Sequence, residues 1–159
     1  MSDALISIKP QFVGKILSGR KSIEIRNRTV ILSPGTRLWI YNTLPIGRID
    51  AVALVDFVET GSPSAIWKRF HEKIGISAAE FQEYINQSSR VSAISLIQAC
   101  RVSGPLTLTY LRSAVPGFHP PQFIKHIPPS DLLWQVLASH ARPEHGLTPV
   151  AKKVALAIG

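Results

Sequence analysis

The sequence predicts an α+β fold: a small mixed β-barrel with short helices inserted between strands and one helix near the C-terminus. Three observations carry this. Strand signals dominate, but in short pieces set off by Gly, Pro and Ser. The helical segments are too few and too unevenly placed for a series of strand–helix–strand units, which disfavours a layered parallel sheet. The 159 residues are one domain's worth of chain, enough to bury a core without disulfide staples.

Each element follows from its own pattern. Ala4 to Ile8 is a short apolar run that reads as a buried strand, ended by Lys9 and Pro10. Pro10 suits the first turn of a helix, in which Phe12, Val13, Ile16 and Leu17 recur at helical spacing and Gly19 lies just past the end. Lys21 to Arg28 follows as a strand. Alternation puts Ser22, Glu24 and Arg26 in one polar row and Ile23 and Ile25 in a core. Lys21 shares the core parity, but its long stem is expected to reach the rim. Ser33-Pro34-Gly35 is a turn, Leu38 to Tyr41 a strand with Trp39 and Tyr41 on one face, and Asn42 to Gly47 a loop. Arg48 to Glu59 is the longest strand signal, nearly continuous in apolar residues, as in a central strand covered on both sides.

The middle is helical. Ser62-Pro63-Ser64 opens one helix, Gly75 interrupts, and Ser77-Ala-Ala-Glu80 is a capping-box pattern before Phe81, Tyr84 and Ile85. Val91 to Val102 returns to strand, Ser103-Gly104-Pro105 reads as a turn, and Leu106 to Leu111 fits either a strand or a helix starting from Thr107. Pro116 to Gln122 is too rich in proline for regular structure. Asp131 caps a last helix through Leu132, Leu133, Val136 and Leu137, and the segment from Arg142 is expected to be loosely held. The expected division is a barrel over residues 1–126 and a C-terminal helix and tail over residues 127–159, packed on the same domain.

The formal charge is +8 and it is unevenly spread. Six basic residues up to Arg28 (Lys9, Lys15, Arg20, Lys21, Arg26 and Arg28) face only Asp3 and Glu24, a net of +4 in the first sixth of the chain. A clustered positive field favours polyanions, nucleic acid first. The single cysteine, Cys100, excludes an internal disulfide and any zinc site of several cysteines, and its apolar run reads as a buried thiol. The five histidines show no metal-ligand spacing, and no phosphate-cradling glycine loop or nucleophile elbow is present, so neither metal nor cofactor is expected. No apolar run could span a bilayer and no secretory pattern opens the chain, so a cytoplasmic protein with no membrane partner is expected.

Leu5-Ile-Ser-Ile-Lys-Pro10, with Lys15-Ile-Leu-Ser-Gly-Arg-Lys21 and Ile23-Glu-Ile-Arg26, resembles the opening of the ASCH domain family of the PUA-like superfamily. The likeness continues through Leu38-Trp-Ile-Tyr-Asn42 and Ile74 to Phe81, and ends at Gly117-Phe-His-Pro-Pro-Gln122. It implies a PUA-like barrel with a cleft and an RNA-related role. One branch of that family resembles amidohydrolases of acylated cytidine, in which a lysine and a threonine act with a glutamate near the middle helices. Lys21 matches the lysine, Glu24 stands where the threonine is expected, and Glu72 lies near the glutamate position.

The resulting assignment has Lys21, Glu24 and Glu72 as candidate catalytic residues. Arg26 and Arg28 are planar donors for phosphate or a base edge, Lys9 and Lys15 position a backbone, and Tyr41, Asn42, Thr43 and Gln122 are further ligand contacts. Lys21, Glu24 and Arg26 could equally be an ion-paired network that only supports a strand. The first functional reading is RNA or nucleotide binding through a basic cleft, with a regulatory role open. The alternative is a hydrolase, either an amidohydrolase on N4-acylated cytidine or a ribonuclease. The third is a protein-interaction domain, including a homodimer, using Leu132, Leu133, Trp134, Val136 and Leu137 of the last helix.

Overall fold

A computed structural model describes residues 1–147. The elements, in order, are β1 (Asp3–Ile8), α1 (Pro10–Leu17), β2 (Ile23–Arg26), β3 (Arg37–Asn42), β4 (Arg48–Gly61), α2 (Pro63–Ile74), α3 (Ala78–Ile85), β5 (Val91–Thr107), α4 (Leu108–Ala114), β6 (Lys125–His126), α5 (Leu132–His140) and β7 (Arg142–Pro143). The main sheet has the order β2-β5-β4-β3-β1-β6, and β7 pairs with β5. Only β1 and β3 run parallel, with Leu5 opposite Trp39 and Ser7 opposite Tyr41; the other pairs are antiparallel.

The sheet curls because β4 and β5 are long and repeatedly bulged. Their register slips between Ile49 and Ala51, Val52 and Leu54, and Val55 and Phe57. Each bulge adds twist and bend, which turns a flat ribbon into a half-barrel. The fold is thus α+β and PUA-like, with β2 and β6 at the two ends of the curl. Arg26 reaches across from β2 and donates to the Ser7 carbonyl of β1 at 2.9 Å, tying together two strands that are not neighbours in the sheet.

Three apolar clusters hold the molecule. One joins Leu5, Trp39 and Tyr41 of the sheet to Leu111, Leu133 and Leu137 of α4 and α5. The second packs Val13 and Ile16 of α1 on Ile6, Ile40 and Ala53. The third packs Ile66, Phe70, Ile74 and Phe81 of α2 and α3 on Ile23 and Ile25 of β2. Strand alternation on β1 explains the split, since Leu5 faces one cluster and Ala4 and Ile6 face the other.

Several sequence expectations are realised element by element. Gly75 ends α2 at φ 77°, and Ser77 and Glu80 form the reciprocal capping box on α3. Asp131 caps α5 by accepting from the Leu133 amide at 2.9 Å. Cys100 is buried. Thr107 resolves the ambiguity at the end of β5, because its hydroxyl accepts from the Tyr110 amide and starts α4.

Two expectations are corrected. Ser103-Gly104-Pro105 does not reverse the chain but bulges within β5, where Val102 and Ser103 pair with Pro143 and Arg142 instead of β4. Gly104 has φ 68°, and a Cβ there would lie 2.9 Å from the His140 carbonyl, so this bulge needs glycine. The apolar face of α5 is also not a free docking surface. Leu133, Val136 and Leu137 lie inside the core, and the Trp134 indole donates to Asp3 at 3.1 Å. The expectation of a loosely held end from Arg142 meets a short strand at Arg142–Pro143, and the remainder, residues 148–159, lies outside the described residues.

Candidate functional site

The site grows from the junction of α1, β2 and the end of α2. Beyond Gly19 the chain turns back, and the Lys21 amide donates to the Lys15 carbonyl at 3.1 Å. The Ser22 amide then bonds the Lys73 carbonyl at 3.0 Å, which fixes β2 against the last turn of α2. Gly75 permits this approach: a Cβ there would sit 3.1 Å from Lys21 Cβ.

Lys21 does not reach the rim as its stem length suggested. It is 3% exposed, and its Nζ donates to the Ile23 carbonyl at 2.8 Å and the Ile74 carbonyl at 2.7 Å. Lys15 donates to the next carbonyl, Gly75, at 2.7 Å. Two ammonium groups therefore satisfy the unpaired carbonyls at the negative end of the α2 dipole. Burial pulls the Lys21 pKa below its ordinary value, and the nearby Glu24 carboxylate opposes that fall.

Glu24 is 7% exposed. One carboxylate oxygen accepts from the Ile25 amide at 3.0 Å and lies 3.7 Å from Lys21 Nζ; the other lies 3.7 Å from Arg26. The carboxylate is thus flanked by two cations without a short hydrogen bond from either. It faces a cleft of about 330 Å³ whose walls include Lys9, Phe12, Ile25 and Tyr84. Glu80 and Glu83 also line it, so the cleft carries more carboxylates than ammonium groups and is not basic as expected.

The positive charge lies next door. A second cavity of about 220 Å³ is lined by Arg26, Arg28, Gln122 and Phe123, with no acidic residue. The Arg28 guanidinium stacks on the Phe123 ring, 3.4 Å from its centroid. Tyr84 borders both cavities. Burial raises the Tyr84 pKa, with Arg26 opposing the rise, so its hydroxyl keeps its proton to higher pH than an ordinary phenol.

The other expected site residues fall elsewhere. Tyr41 is 1% exposed in the core beneath α4, where its hydroxyl is buried without a partner and burial raises its pKa. Trp39 and Tyr41 share one strand face, and that face packs into the core, so the expected cleft contact of Tyr41 is not made. Asn42 is buried beside Asp50, to which its amide points at 3.4 Å, and Thr43 begins the loop before β4; neither borders the two cavities. Glu72 is on the solvent side of α2 with 86% of its side chain exposed, because α2 turns Phe70 and Ile74 inward. Lys15 is spent on Gly75. Lys9, Lys21 and Glu24 gather in the first cavity and Arg26, Arg28 and Gln122 in the second.

Sequence reasoning missed Tyr84, Phe123, Phe12 and Glu83. Tyr84 read as one more apolar position beside Phe81 and Ile85. Its signal was chemical: tyrosine has a wet end and an apolar body, which suits the edge of a buried face. Phe123 follows Pro120-Pro121-Gln122 in an irregular loop and is 49% exposed, a large aromatic left at the surface beside Arg28.

Among the described residues no group of three His, Cys, Asp or Glu side chains could hold a metal ion, and no helix is long and apolar enough to cross a membrane.

A curled α+β half-barrel with a cleft beside its first helix defines a PUA-like protein. Comparison with known proteins narrows this further. No family model matches the chain. A curated protein of Zymomonas mobilis, an ASCH domain-containing ribonuclease, is 28% identical over 120 residues, covering 76% of this chain and 80% of that protein. The crystal structure of ASCH from Zymomonas mobilis has a TM-score of 0.80 at 26% identity, covering 89% of this chain and 96% of that one. A tyrosine-to-phenylalanine variant of the same protein gives 0.81 at 25% identity, with 89% and 100% covered. Over most of its length the chain is thus similar in sequence and fold to the ASCH protein of Zymomonas mobilis.

Proposed function

We propose that this protein binds single-stranded RNA, with one nucleotide spread over the two adjoining cavities. The observation that carries this is their division of labour. The first has apolar and aromatic walls and polar acceptors, and suits a base; the second has two guanidinium groups and no acid, and suits a phosphate. Tyr84 stands between them as a surface on which a base can stack. The similarity to an ASCH domain-containing ribonuclease supports RNA over other polyanions.

Neutralised phosphates release counterions, so binding of a labelled single-stranded RNA should weaken as salt rises. Binding that is absent at low salt, or equally strong at high salt, overturns the proposal. A cytoplasmic site of action is proposed with it, tested by fractionation of cells producing the tagged chain.

A second reading, ribonuclease activity at the same site, is favoured by the name of the relative. Here Glu24 would take the proton of a ribose 2′-hydroxyl as its oxygen bonds to the adjacent phosphorus, the P–O5′ bond breaks and the leaving 5′-oxygen takes a proton from water, while Arg26 and Arg28 hold the phosphate charge. The expected result is cleavage of labelled RNA that is lost in Glu24→Gln while the fold persists. Intact RNA after prolonged incubation leaves binding alone. The amidohydrolase alternative loses its support: Lys21 Nζ is occupied by two carbonyls, Glu72 faces solvent, and Glu24 replaces the expected threonine.

A further inference from the structure

We infer that the first cleft selects its base by the donors on the Watson–Crick edge, taking guanine foremost and uracil last. This rests on the RNA-binding reading and adds a specificity to it. The argument is a balance of donors and acceptors. Of the two lysines among the described residues that line the cleft, Lys21 gives two of its ammonium protons to the Ile23 and Ile74 carbonyls. It has little left to offer a ligand. Among the described residues Glu24 accepts a short hydrogen bond from the Ile25 amide and is paired with Lys21 and Arg26 at 3.7 Å, which leaves it lone pairs for a ligand in the cleft. Glu83 adds a further carboxylate, and Glu80 has one oxygen on the Ser77 amide at 3.1 Å and the other free of that bond. The cleft is therefore lined by carboxylate acceptors together with the aromatic walls of Phe12 and Tyr84.

The nucleobases respond differently to such a surface. Guanine presents two adjacent donors, N1–H and the N2 amino group, spaced to meet both oxygens of one carboxylate. Adenine and cytosine present one amino group beside a ring acceptor. Uracil presents one N–H between two carbonyls, which would face carboxylate lone pairs. A phosphate is repelled from the same place. Acceptors left unpaired on binding cost affinity, so discrimination comes as much from rejecting uracil as from holding guanine. Lys9, an exposed residue of the cleft lining, can donate to guanine O6.

The test is direct binding of the full chain to short single-stranded oligoribonucleotides that differ at one central base: guanosine, inosine or uridine. Inosine keeps N1–H and lacks the N2 amino group. The expected order is guanosine, inosine, uridine, with about ten-fold between the first and last. In Glu24→Gln the ratio should fall towards one; if that variant does not fold, the wild-type series decides alone. Equal affinity across the series, or a preference for uridine, overturns the inference and leaves RNA binding standing. No binding to any oligonucleotide overturns the proposed function and this inference with it.

Discussion

Asp3 on β1 and Glu24 on β2 are both buried carboxylates near an arginine, yet they are used differently. Asp3 accepts from Arg37 at 2.6 Å and from the Trp39 indole at 2.9 Å on one oxygen, and from the Trp134 indole at 3.1 Å on the other. It joins β1, β3 and α5, and although a shallow cavity passes beside it, both its oxygens are occupied. Glu24 has one backbone bond and two cations at 3.7 Å, and it borders a cleft. A buried charge whose partners saturate it serves the fold. A buried charge with spare capacity towards a cavity is placed to meet a ligand.

The comparison breaks first at Asp3. Asp3→Ala should cost about 4 kcal/mol of folding stability, since it strands a guanidinium and two indole donors. Urea unfolding measures this, and RNA affinity of the folded protein should stay unchanged. An equal loss of RNA affinity would show that the two carboxylates are not functionally separate.

Lys21→Met should cost about 3 kcal/mol, because the Ile23 and Ile74 carbonyls and Glu24 lose their cation. Its pH dependence is diagnostic. The folded Lys21 binds its proton less tightly than the unfolded chain, so protonation favours unfolding below its ordinary value of 10.5. Wild-type stability should therefore gain on the variant as pH is raised towards that value. A gap that narrows over the same window would contradict the burial seen here.

On the cleft side, Tyr84→Ala should weaken RNA binding by about 2 kcal/mol through the lost stacking surface. Tyr84 is 42% exposed, so thermal unfolding should shift little. Arg28→Ala should weaken binding by about 1 kcal/mol and lower the salt slope by about one. Titration of affinity against salt separates this from a folding defect. Glu72→Ala should change stability and RNA affinity by less than about 0.5 kcal/mol, as expected of a solvent-facing residue.

Much of the scaffold was legible in local pattern. An apolar run located β1 and alternation β2, the capping residues Ser77 and Asp131 located helix starts, Thr107 left strand and helix open, and Gly75 marked the end of α2. These signals depend on residues within a turn or two of each other. The site was legible in part. Lys21, Glu24, Arg26 and Arg28 are close in sequence, so their gathering at one junction could be anticipated. Their division into an acceptor-rich cleft and a cationic cavity could not, because Glu80, Glu83 and Tyr84 arrive from α3 and Phe123 from a loop almost a hundred residues after β2.

By itself, the sequence determined the α+β class, the helices other than α4 and the charged strand at β2, since backbone preference and side-chain period act locally. Tertiary structure decided what each charge does. Burial against the end of α2 spends Lys15 and Lys21 on carbonyls, the bulges of β4 and β5 bring the chain round so that Arg26 meets Ser7, and α3 lays Tyr84 across the mouth of the site. An ion's role depends on which partners and how much water surround it, and those come from contacts between segments far apart in the chain.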